Sequence, residues 1–307
     1  QFVPGIRVDK LIERDGKVIG VEADGDILEA NVVILAEGVN ALLAEQLGMV
    51  QKQVSAKHVA VGVKELIELP RELLEARFSL TENEGAAWLF AGTPSNGLMG
   101  GGFLYTNGDS LSLGIVVGLS HIADAGKSVP QMLEDFKQHP TVRPLIAGGK
   151  TVEYAAHVVP EAGINMQPKL VGNGVLIAGD AAGMCMNLGF TIRGMDMAIA
   201  SGEAAARAVL QAKEANNFSE QGLNGYLTLL EELPVMKDLR HYRKVPAMLE
   251  NPRMFTQYPQ MVADIMANVF TVNGQPPQPI RKMVMRHCKK IGYLNLLKDG
   301  IKGVTAL

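Results

Sequence analysis

The N-terminal part of the chain alternates apolar and polar positions in short runs that predict strands. VDKLIER, KVIGVEA and a third run are separated by the pairs Asp15-Gly16 and Asp24-Gly25. Asp-Gly between two alternating runs is a strong signal for a two-residue hairpin turn. We therefore expect a three-stranded antiparallel meander here.

The apolar run that follows predicts a buried strand over residues 31–36, which leads into Glu37-Gly38. A helix over ALLAEQLG comes next, with Asn40 as its N-cap and Gly48 as its stop.

Residues 58–160 show a different pattern, in which short β-rich runs are separated by Gly, Asn, Asp and Pro. This pattern predicts an inserted antiparallel sheet. A helix over about residues 129–138 interrupts the sheet, with Pro130 near its start. LMGGGFLY at 98–105 is predicted to be a bent strand rather than a phosphate loop, because no helix follows it.

The most informative run is GVLIAGDAAGMCMNLGFTIRGMDMAIASGEAAA at 174–206. Its first apolar residues predict a buried strand that ends at Gly179-Asp180. A glycine-containing loop follows, and a long helix of small residues begins near Arg193-Gly194. Beyond about residue 217 the apolar spacing becomes helical. Together these patterns predict an α/β fold with an inserted antiparallel domain and a helical C-terminal region.

Composition and charge narrow the classes of function. The net charge of −3 argues against nucleic acid as a partner, since no basic excess is available for phosphates. The two cysteines, Cys185 and Cys288, are too few and too far apart for a zinc or iron–sulfur site and indicate a reducing compartment. No stretch reaches the roughly 18 apolar residues that cross a bilayer. The chain starts at Gln1 and enters structured sequence directly, so we expect a fragment of a longer protein.

The strand, acid, loop and helix of 174–206 have the arrangement of half a dinucleotide site. Asp180 can accept hydrogen bonds from ligand hydroxyls, and the loop and helix start offer free backbone N–H groups to an electron-rich ligand. The alternative is an ordinary strand–loop–helix crossover with an acid near the turn. VVILAEG at 32–38 also has two interpretations, a segment that passes a bound dinucleotide or a buried strand followed by a turn. Because VVILAEG precedes GDAAG in the chain, the pair favours the dinucleotide site.

The order of DGKVIGVEADG, ANVVILAEGVN, VAVGVKE, LMGGGFLY, HVVPEAG and the 174–206 run closely resembles the Fix-type flavoproteins of the electron-transfer flavoprotein–quinone oxidoreductase family. The resemblance covers essentially the whole chain. It implies FAD in a glutathione-reductase-like fold and an electron-transfer flavoprotein as the electron donor. The acceptor would be quinone or a ferredoxin-like iron–sulfur protein. It also implies a cytoplasmic protein with peripheral contact to the inner face of the membrane.

The resemblance further implies which residues hold the cofactor. Asp180 would accept hydrogen bonds from the ribityl hydroxyls, while Gly179 and Gly183 would allow close backbone approach. Gly194 and Met195 would face the pyrimidine edge of the flavin, where the helix dipole favours negative charge. The remaining candidates are Ala36, Gly38, Asn187 and Arg193. Neither a catalytic base nor a metal ligand is expected.

By this resemblance, residues 1–57 and 165–216 form the FAD-binding domain. Residues 58–164 form the antiparallel domain on the quinone side, and residues 217–307 form the helical region. The family begins with a strand–GxGxxG–helix unit for the FAD pyrophosphate, and this sequence lacks it. We therefore expect an incomplete FAD fold with its first βαβ unit missing, and weak or no FAD binding. The chain also ends without a cysteine-rich cluster domain, which matches the Fix type and its separate ferredoxin-like subunit.

Other features each have two interpretations. Arg193 would stabilise an anionic reduced flavin, or be an ordinary surface cation. His157 is near the flavin by resemblance, although a structural histidine is favoured, and Cys185 is interpreted as a small buried residue. Residues 281–307 carry seven Lys and Arg against Asp299 alone. They predict a docking face for an acidic electron carrier or anionic lipid, or a solvated helix surface.

The predicted function is FAD-dependent electron transfer from an electron-transfer flavoprotein to quinone or a ferredoxin-like carrier. One alternative is a flavin-dependent reductase or monooxygenase of an apolar small molecule, because these enzymes share the GDAAG segment. A second alternative is a non-catalytic remnant that folds or binds a partner without FAD.

Overall fold

The computed structural model describes residues 1–50 and 54–307, and its contacts divide them into two compact units. Unit 1 comprises Gln1–His58 and Val159–Arg243, and unit 2 comprises Val59–Val158 and Lys244–Leu307. The residues predicted as one C-terminal helical region are thus divided between both units.

The strands are β1 Val8–Arg14, β2 Lys17–Ala23, β3 Asp26–Glu29, β4 Val33–Leu35, β5 Val59–Glu68, β6 Ala87–Phe90, β7 Gly100–Thr106, β8 Ser110–Gly118, β9 Lys150–Pro160, β10 Val171–Gly172, β11 Val175–Ile177, β12 Met186–Asn187 and β13 Ile192–Arg193. The α-helices are α1 Leu42–Gln46, α2 Arg71–Phe78, α3 Val129–Lys137, α4 Arg143–Ile146, α5 Met195–Glu214, α6 Glu220–Leu223, α7 Gly225–Glu232, α8 Pro234–His241, α9 Val245–Leu249, α10 Gln257–Phe270, α11 Ile280–Ile291 and α12 Tyr293–Ala306.

The predicted meander is confirmed in unit 1, where β1, β2 and β3 pair antiparallel in chain order. Both turns have the expected residues in the left-handed region: φ is 51° at Asp15 and 71° at Gly16, and 51° at Asp24 and 89° at Gly25. Two consecutive positive φ values define the type I′ turn, whose twist matches that of the flanking strands.

The strand predicted over residues 31–36 is shorter and less buried than expected. β4 spans Val33–Leu35 at one edge of the sheet β10-β11-β4; Leu35 is buried, whereas Ile34 is 41% exposed. β4 pairs with β11 in parallel, with Leu35 opposite Ile177. This parallel pair joins two segments that lie far apart in the sequence.

The helix after β4 begins later than predicted, and Asn40 is not its cap. Ala41 precedes α1 with φ 44°, and the carboxylate of Glu37 accepts hydrogen bonds from the N–H groups of Leu43 at 2.8 Å and Ala44 at 2.9 Å. A carboxylate at a helix N-terminus satisfies N–H groups that have no partner within the helix. Gly48 follows the helix with φ 67°, as predicted.

Unit 2 contains the inserted sheet. Over the described residues its strand order is β6-β7-β8-β5-β9, and the pairs β6–β7, β7–β8 and β8–β5 are antiparallel. The predicted helix is α3, whose N-cap is Ser128, and its buried side chains join the core of the sheet. LMGGGFLY runs into β7 rather than a loop, and Gly100 has φ 130° there.

The C-terminal part of unit 2 is helical and contains a partly buried ion pair. Arg253 Nε donates to Asp299 Oδ2 at 2.7 Å, and Tyr258 donates to the same oxygen at 2.6 Å. These contacts connect the start of α10 to the middle of α12.

Candidate functional site

The two predicted cofactor segments of unit 1 lie side by side because β4 and β11 are parallel. The N–H of Ala178 donates to the carbonyl of Leu35 at 2.9 Å, so both strands end at one edge of the sheet. Ala36 and Gly38 follow the first strand, and Gly179 and Asp180 follow the second. Gly38 and Gly179 have φ of 75° and 66°, a region that favours glycine.

A cavity of about 380 Å³ opens at this edge. Val39 and Ala41 line it after β4, and Asp180 and Ala181 line it after β11. Gln167 also lines it, and its buried Nε2 donates to no acceptor among the described residues. A buried donor without a partner is costly, so this atom is suited to an oxygen of a bound ligand.

The prediction that the GDAAG loop offers free N–H groups does not hold at Gly179 or Gly183. The N–H of Gly179 donates to Ser201 Oγ at 2.9 Å, and the N–H groups of Gly183 and Met184 bond to carbonyls within the loop. The tight 3₁₀ turn over Gly179–Ala182 supplies the carbonyls that accept from Gly183 and Met184, whereas Gly179 depends on the distant Ser201. Gly183 ends this turn with φ 70°.

The start of α5 does present backbone N–H groups. Gly194 precedes the helix, and no described side chain caps it. The first-turn N–H groups of a helix lack partners within the helix and give that end positive character. Met195 is 85% exposed, so this end is accessible.

Arg193 precedes that helix start but is bound by two carboxylates. Its guanidinium lies 2.6 Å from Asp196 and 2.6 Å from Asp238, and these contacts raise its pKa. Two anions offset its charge, which weakens the predicted role of stabilising an anionic flavin.

Asn187 is buried in the hairpin β12–β13 and faces another buried side chain. Its Nδ2 donates to Glu161 Oε2 at 2.5 Å, and its Oδ1 accepts from the N–H of Gly189 at 2.7 Å. Burial raises the pKa of the Glu161 carboxyl to about 7, which the hydrogen bond from Asn187 only partly offsets. The hairpin that leads to α5 therefore rests on an acid that titrates near neutral pH.

The sequence patterns did not identify several positioning residues. Ser201 accepts from Gly179 and donates to the carbonyl of Ala198 at 2.8 Å, and Tyr226 donates to the carbonyl of Ile177 at 2.9 Å. Glu161 and Gln167 were missed as well. Two sequence features could have indicated these residues: Ser201 is a serine within an alanine-rich helix, and Glu161 is the acid in HVVPEAG.

Within the part of the chain that the structure describes, the two remaining candidates, His157 and Cys185, have no contact that indicates a role in the site. His157 is exposed on β9 in unit 2. Cys185 is buried, as interpreted, and burial together with the nearby Glu161 and Asp180 raises the pKa of its thiol. Among the described helices, none has the length and apolar content to cross a membrane.

Comparisons with known proteins agree on one family. Residues 59–159 match the ubiquinone-binding model of ETF-QO, and residues 245–307 match the C-terminal domain of the ETF-QO/FixC family. The chain is 69% identical to Protein FixC of Salmonella typhi over all 307 residues, which span 71% of that protein. It is 64% identical, with the same coverage, to the probable electron transfer flavoprotein-quinone oxidoreductase YdiS of Escherichia coli.

The fold is also found in a solved structure. A geranylgeranyl bacteriochlorophyll reductase-like protein from Thermoplasma acidophilum superposes with a TM-score of 0.63 at 14% identity, covering 97% of this chain and 69% of that one. At this identity the likeness concerns the fold. By its sequence relatives, the chain belongs to the family of FixC and the electron transfer flavoprotein–quinone oxidoreductases.

Proposed function

We propose that this chain forms the flavin end of an FAD-dependent oxidoreductase that passes electrons from an electron-transfer flavoprotein to quinone. The observation that carries this proposal is the cavity at the ends of β4 and β11, which Asp180 and the segment after Gly38 line together. Parallel strands that end at one edge are the usual place for a nucleotide cofactor in α/β proteins.

The residues present fit the flavin and ribityl part of FAD. The Asp180 carboxylate suits ligand hydroxyls, the Gln167 Nε2 supplies a buried donor, and a volume near 380 Å³ is within the range of ligand sites. Gly194 and Met195 would bring the positive end of α5 to an electron-rich ring edge. When bound, FAD supplies the capacity to take up and release electrons, and the chain orients it and shields it from water.

We further propose a glutathione-reductase-like arrangement in which a GxGxxG unit holds the pyrophosphate and adenosine. The parallel pair β4–β11 supports this arrangement, and Ala36, Gly38, Gly179 and Gly183 would pass close to the cofactor within it. In this proposal the chain by itself binds FAD weakly, because the phosphate half of the site comes from that unit.

The proposed location is cytoplasmic, with the C-terminal part of unit 2 resting on an anionic membrane that holds the quinone. α12 exposes an apolar stripe, Leu294, Leu297, Ile301 and Val304, at the spacing of a single helix face. Lys298 and Lys302 lie beside this stripe and are exposed. An apolar helix face flanked by lysines is typical of a helix that lies in the plane of an anionic lipid surface.

A ferredoxin-like iron–sulfur protein is a further acceptor in this proposal. A four-iron cluster needs four thiolates, and the sequence holds only Cys185 and Cys288. These residues by themselves therefore cannot hold such a cluster, and in this proposal the cluster belongs to a separate protein that docks on this family member.

Titration with FAD tests the proposal. The chain, and the chain joined to a GxGxxG unit from a FixC relative, are mixed with FAD and followed by the visible flavin absorbance. We expect stoichiometric uptake by the joined form and at least tenfold weaker uptake after Asp180→Asn, while Asp109→Asn at an exposed turn has no effect. Failure of both forms to bind FAD would overturn the proposal. Fast reduction by NADH, but not by a reduced electron-transfer flavoprotein, would indicate a reductase or monooxygenase instead.

A further inference from the structure

Glu161 is a carboxylic acid placed where a charged carboxylate is costly. Its residue surface is 5% exposed, and its backbone N–H donates to the carbonyl of His58 at 2.7 Å directly after β9. Among the described residues, the ion pairs of the chain do not include it, and the partner of its carboxyl is the neutral amide of Asn187 at 2.5 Å. A buried carboxyl with a neutral partner favours the protonated form.

Burial, rather than a neighbouring charge, dominates the environment of the Glu161 carboxyl. The Cys185 thiol lies on the adjoining loop, and it interacts electrostatically with Glu161, Asp180 and Asp196. Burial is the largest cause, and it raises the pKa of Glu161 to about 7.

The Glu161 carboxyl also supports the hairpin before α5. Asn187 lies opposite Ile192 in the β12–β13 pair, and its side-chain oxygen holds the N–H of Gly189. The hairpin ends at Arg193, and α5 starts two residues later. Any change in the Glu161–Asn187 bond therefore acts on the backbone that sets the position of the helix start.

We propose that Glu161 is a proton-holding positioning residue: it keeps the Asn187 hairpin in place and exchanges one proton with solvent as the charge at the α5 end of the site changes. This inference rests on the proposed function. Negative charge that arrives there raises the proton affinity of the carboxyl, so a carboxylate takes up a proton from water and becomes the neutral acid. In this step an O–H bond of a hydronium ion in the solvent breaks and the O–H bond of Glu161 forms, with the electron pair supplied by the carboxylate oxygen. Glu161 itself is neither oxidised nor reduced, and the negative charge at the site comes from the electron donor of the proposed reaction.

The first test uses the chain without cofactor. Urea unfolding is measured between pH 5 and pH 8 for the unmodified chain, Glu161→Gln and the surface control Glu220→Gln, whose carboxylate pairs with Lys169. A raised pKa in the folded state makes the unfolding equilibrium constant grow by roughly fifty- to a hundredfold over this range. We expect this growth in the unmodified chain and in Glu220→Gln, and its loss in Glu161→Gln. Parallel pH profiles for all three would overturn the proposal.

A second measurement protects the test if Glu161→Gln does not fold. Infrared spectra of the unmodified chain are recorded from pH 6 to pH 8, where ordinary carboxylic acids are already ionised. We expect one protonated carboxyl band that disappears with a midpoint near pH 7. Absence of that band at pH 6 would contradict the proposal.

The functional test measures the flavin midpoint potential against pH in the FAD-loaded joined form. We expect a shallower slope in Glu161→Gln and an unchanged slope in Glu220→Gln. Equal slopes with FAD bound would overturn the coupling and leave the proposed function intact. Absence of FAD binding would instead overturn the proposed function, and the measurements without cofactor would still decide whether Glu161 holds a proton.

Discussion

Ser201 has the clearest residue-level role in the candidate site. Its hydroxyl is fully buried, accepts from the N–H of Gly179 and donates to the carbonyl of Ala198. This contact keeps the end of β11 against α5 and leaves the Gly179 N–H unavailable to a ligand. Close approach of a cofactor would therefore depend on the shape of the turn and on the Asp180 side chain.

Replacement of Ser201 tests this role. Ser201→Ala leaves the partly buried N–H of Gly179 without a partner, which costs about 1–3 kcal/mol. We expect a loss of that size in the free energy of unfolding measured with urea. The control Ser120→Ala removes an exposed hydroxyl. It should change the free energy of unfolding by less than about 0.5 kcal/mol. Equal stability of Ser201→Ala and the control would show that the hydroxyl is not needed.

Substitutions at two glycines of the same region can distinguish effects on stability from effects on FAD binding. Gly194 has φ −142°, and a Cβ there would meet the Sγ of Cys185 at an ordinary 3.6 Å. Gly202 lies inside α5, where a Cβ would meet nothing within 4 Å. Neither position needs glycine for the fold of the chain itself.

We expect Gly202→Ala to raise the free energy of unfolding by about 0.5–1 kcal/mol, because alanine lowers the entropy of the unfolded chain. Gly194→Ala should not destabilise the chain, yet it should weaken FAD uptake by the joined form, since a methyl group would stand at the helix start that faces the cofactor. An unchanged FAD affinity in Gly194→Ala would show that the cofactor does not lie against this end of α5.

At the scale of elements, the C-terminal helices depend on the Arg253–Asp299 pair. Asp299 is 7% exposed as a side chain, and the guanidinium of Arg253 holds the pKa of its carboxyl well below the usual range. Tyr258 also donates to this carboxylate, and its own pKa is raised to about 12. One carboxylate thus joins α10 to α12.

A depressed pKa in the folded state contributes stability above the ordinary pKa of aspartate, near 3.9, and that contribution is lost as pH falls below it. We expect Asp299→Asn to destabilise the chain at pH 7 and to flatten its stability profile below pH 4. Asp109→Asn, at an exposed position, serves as the control in urea unfolding at both pH values. An unchanged acid profile in Asp299→Asn would show that the pair is not a stabilising contact.

At the scale of the whole molecule, the proposed lipid face combines the exposed apolar stripe of α12 with the exposed cations of the C-terminal segment. The exposed cations of the C-terminal segment are Arg281, Lys282, Arg286, Lys289, Lys290, Lys298 and Lys302. Asp299, the acid of this segment, is paired with Arg253. Its carboxylate therefore does not neutralise these seven cations, although the net charge of the chain is −3.

Vesicle sedimentation tests this face. We expect binding to vesicles with anionic lipid that weakens with salt, because each Lys or Arg near such a surface contributes about 1 kcal/mol. The double substitution Leu294→Ser, Val304→Ser should lower binding at least tenfold, since each buried apolar side chain contributes about 1.5 kcal/mol or more. Leu210→Ser on α5 replaces an equally apolar, 60% exposed leucine as the control. Binding of an acidic ferredoxin, but not of vesicles, would identify a protein partner for this face.

Local patterns in the sequence determined the turns, the meander, the inserted sheet and the long helix after Gly194. Asp15-Gly16 and Asp24-Gly25 specify their turns because residues that tolerate positive φ act within two positions. The order of VVILAEG, HVVPEAG and GDAAG likewise identified the family, which the comparisons confirm. The start of α1 was misplaced because the carboxylate of Glu37, and not Asn40, caps it.

Only the tertiary structure decided which side chains meet. Four contacts join residues that are 22 or more positions apart. They are the pairing of β4 with β11, the hydrogen bond from Gly179 to Ser201, the Glu161–Asn187 contact and the ion pair of Arg193 with Asp238. Such contacts depend on how the strands and helices pack, and neither spacing nor composition specifies that packing. For this reason the sequence placed Asp180 and Asn187 in the candidate site, whereas the structure identified Ser201, which holds the strand end, and Glu161, the acid beneath the hairpin.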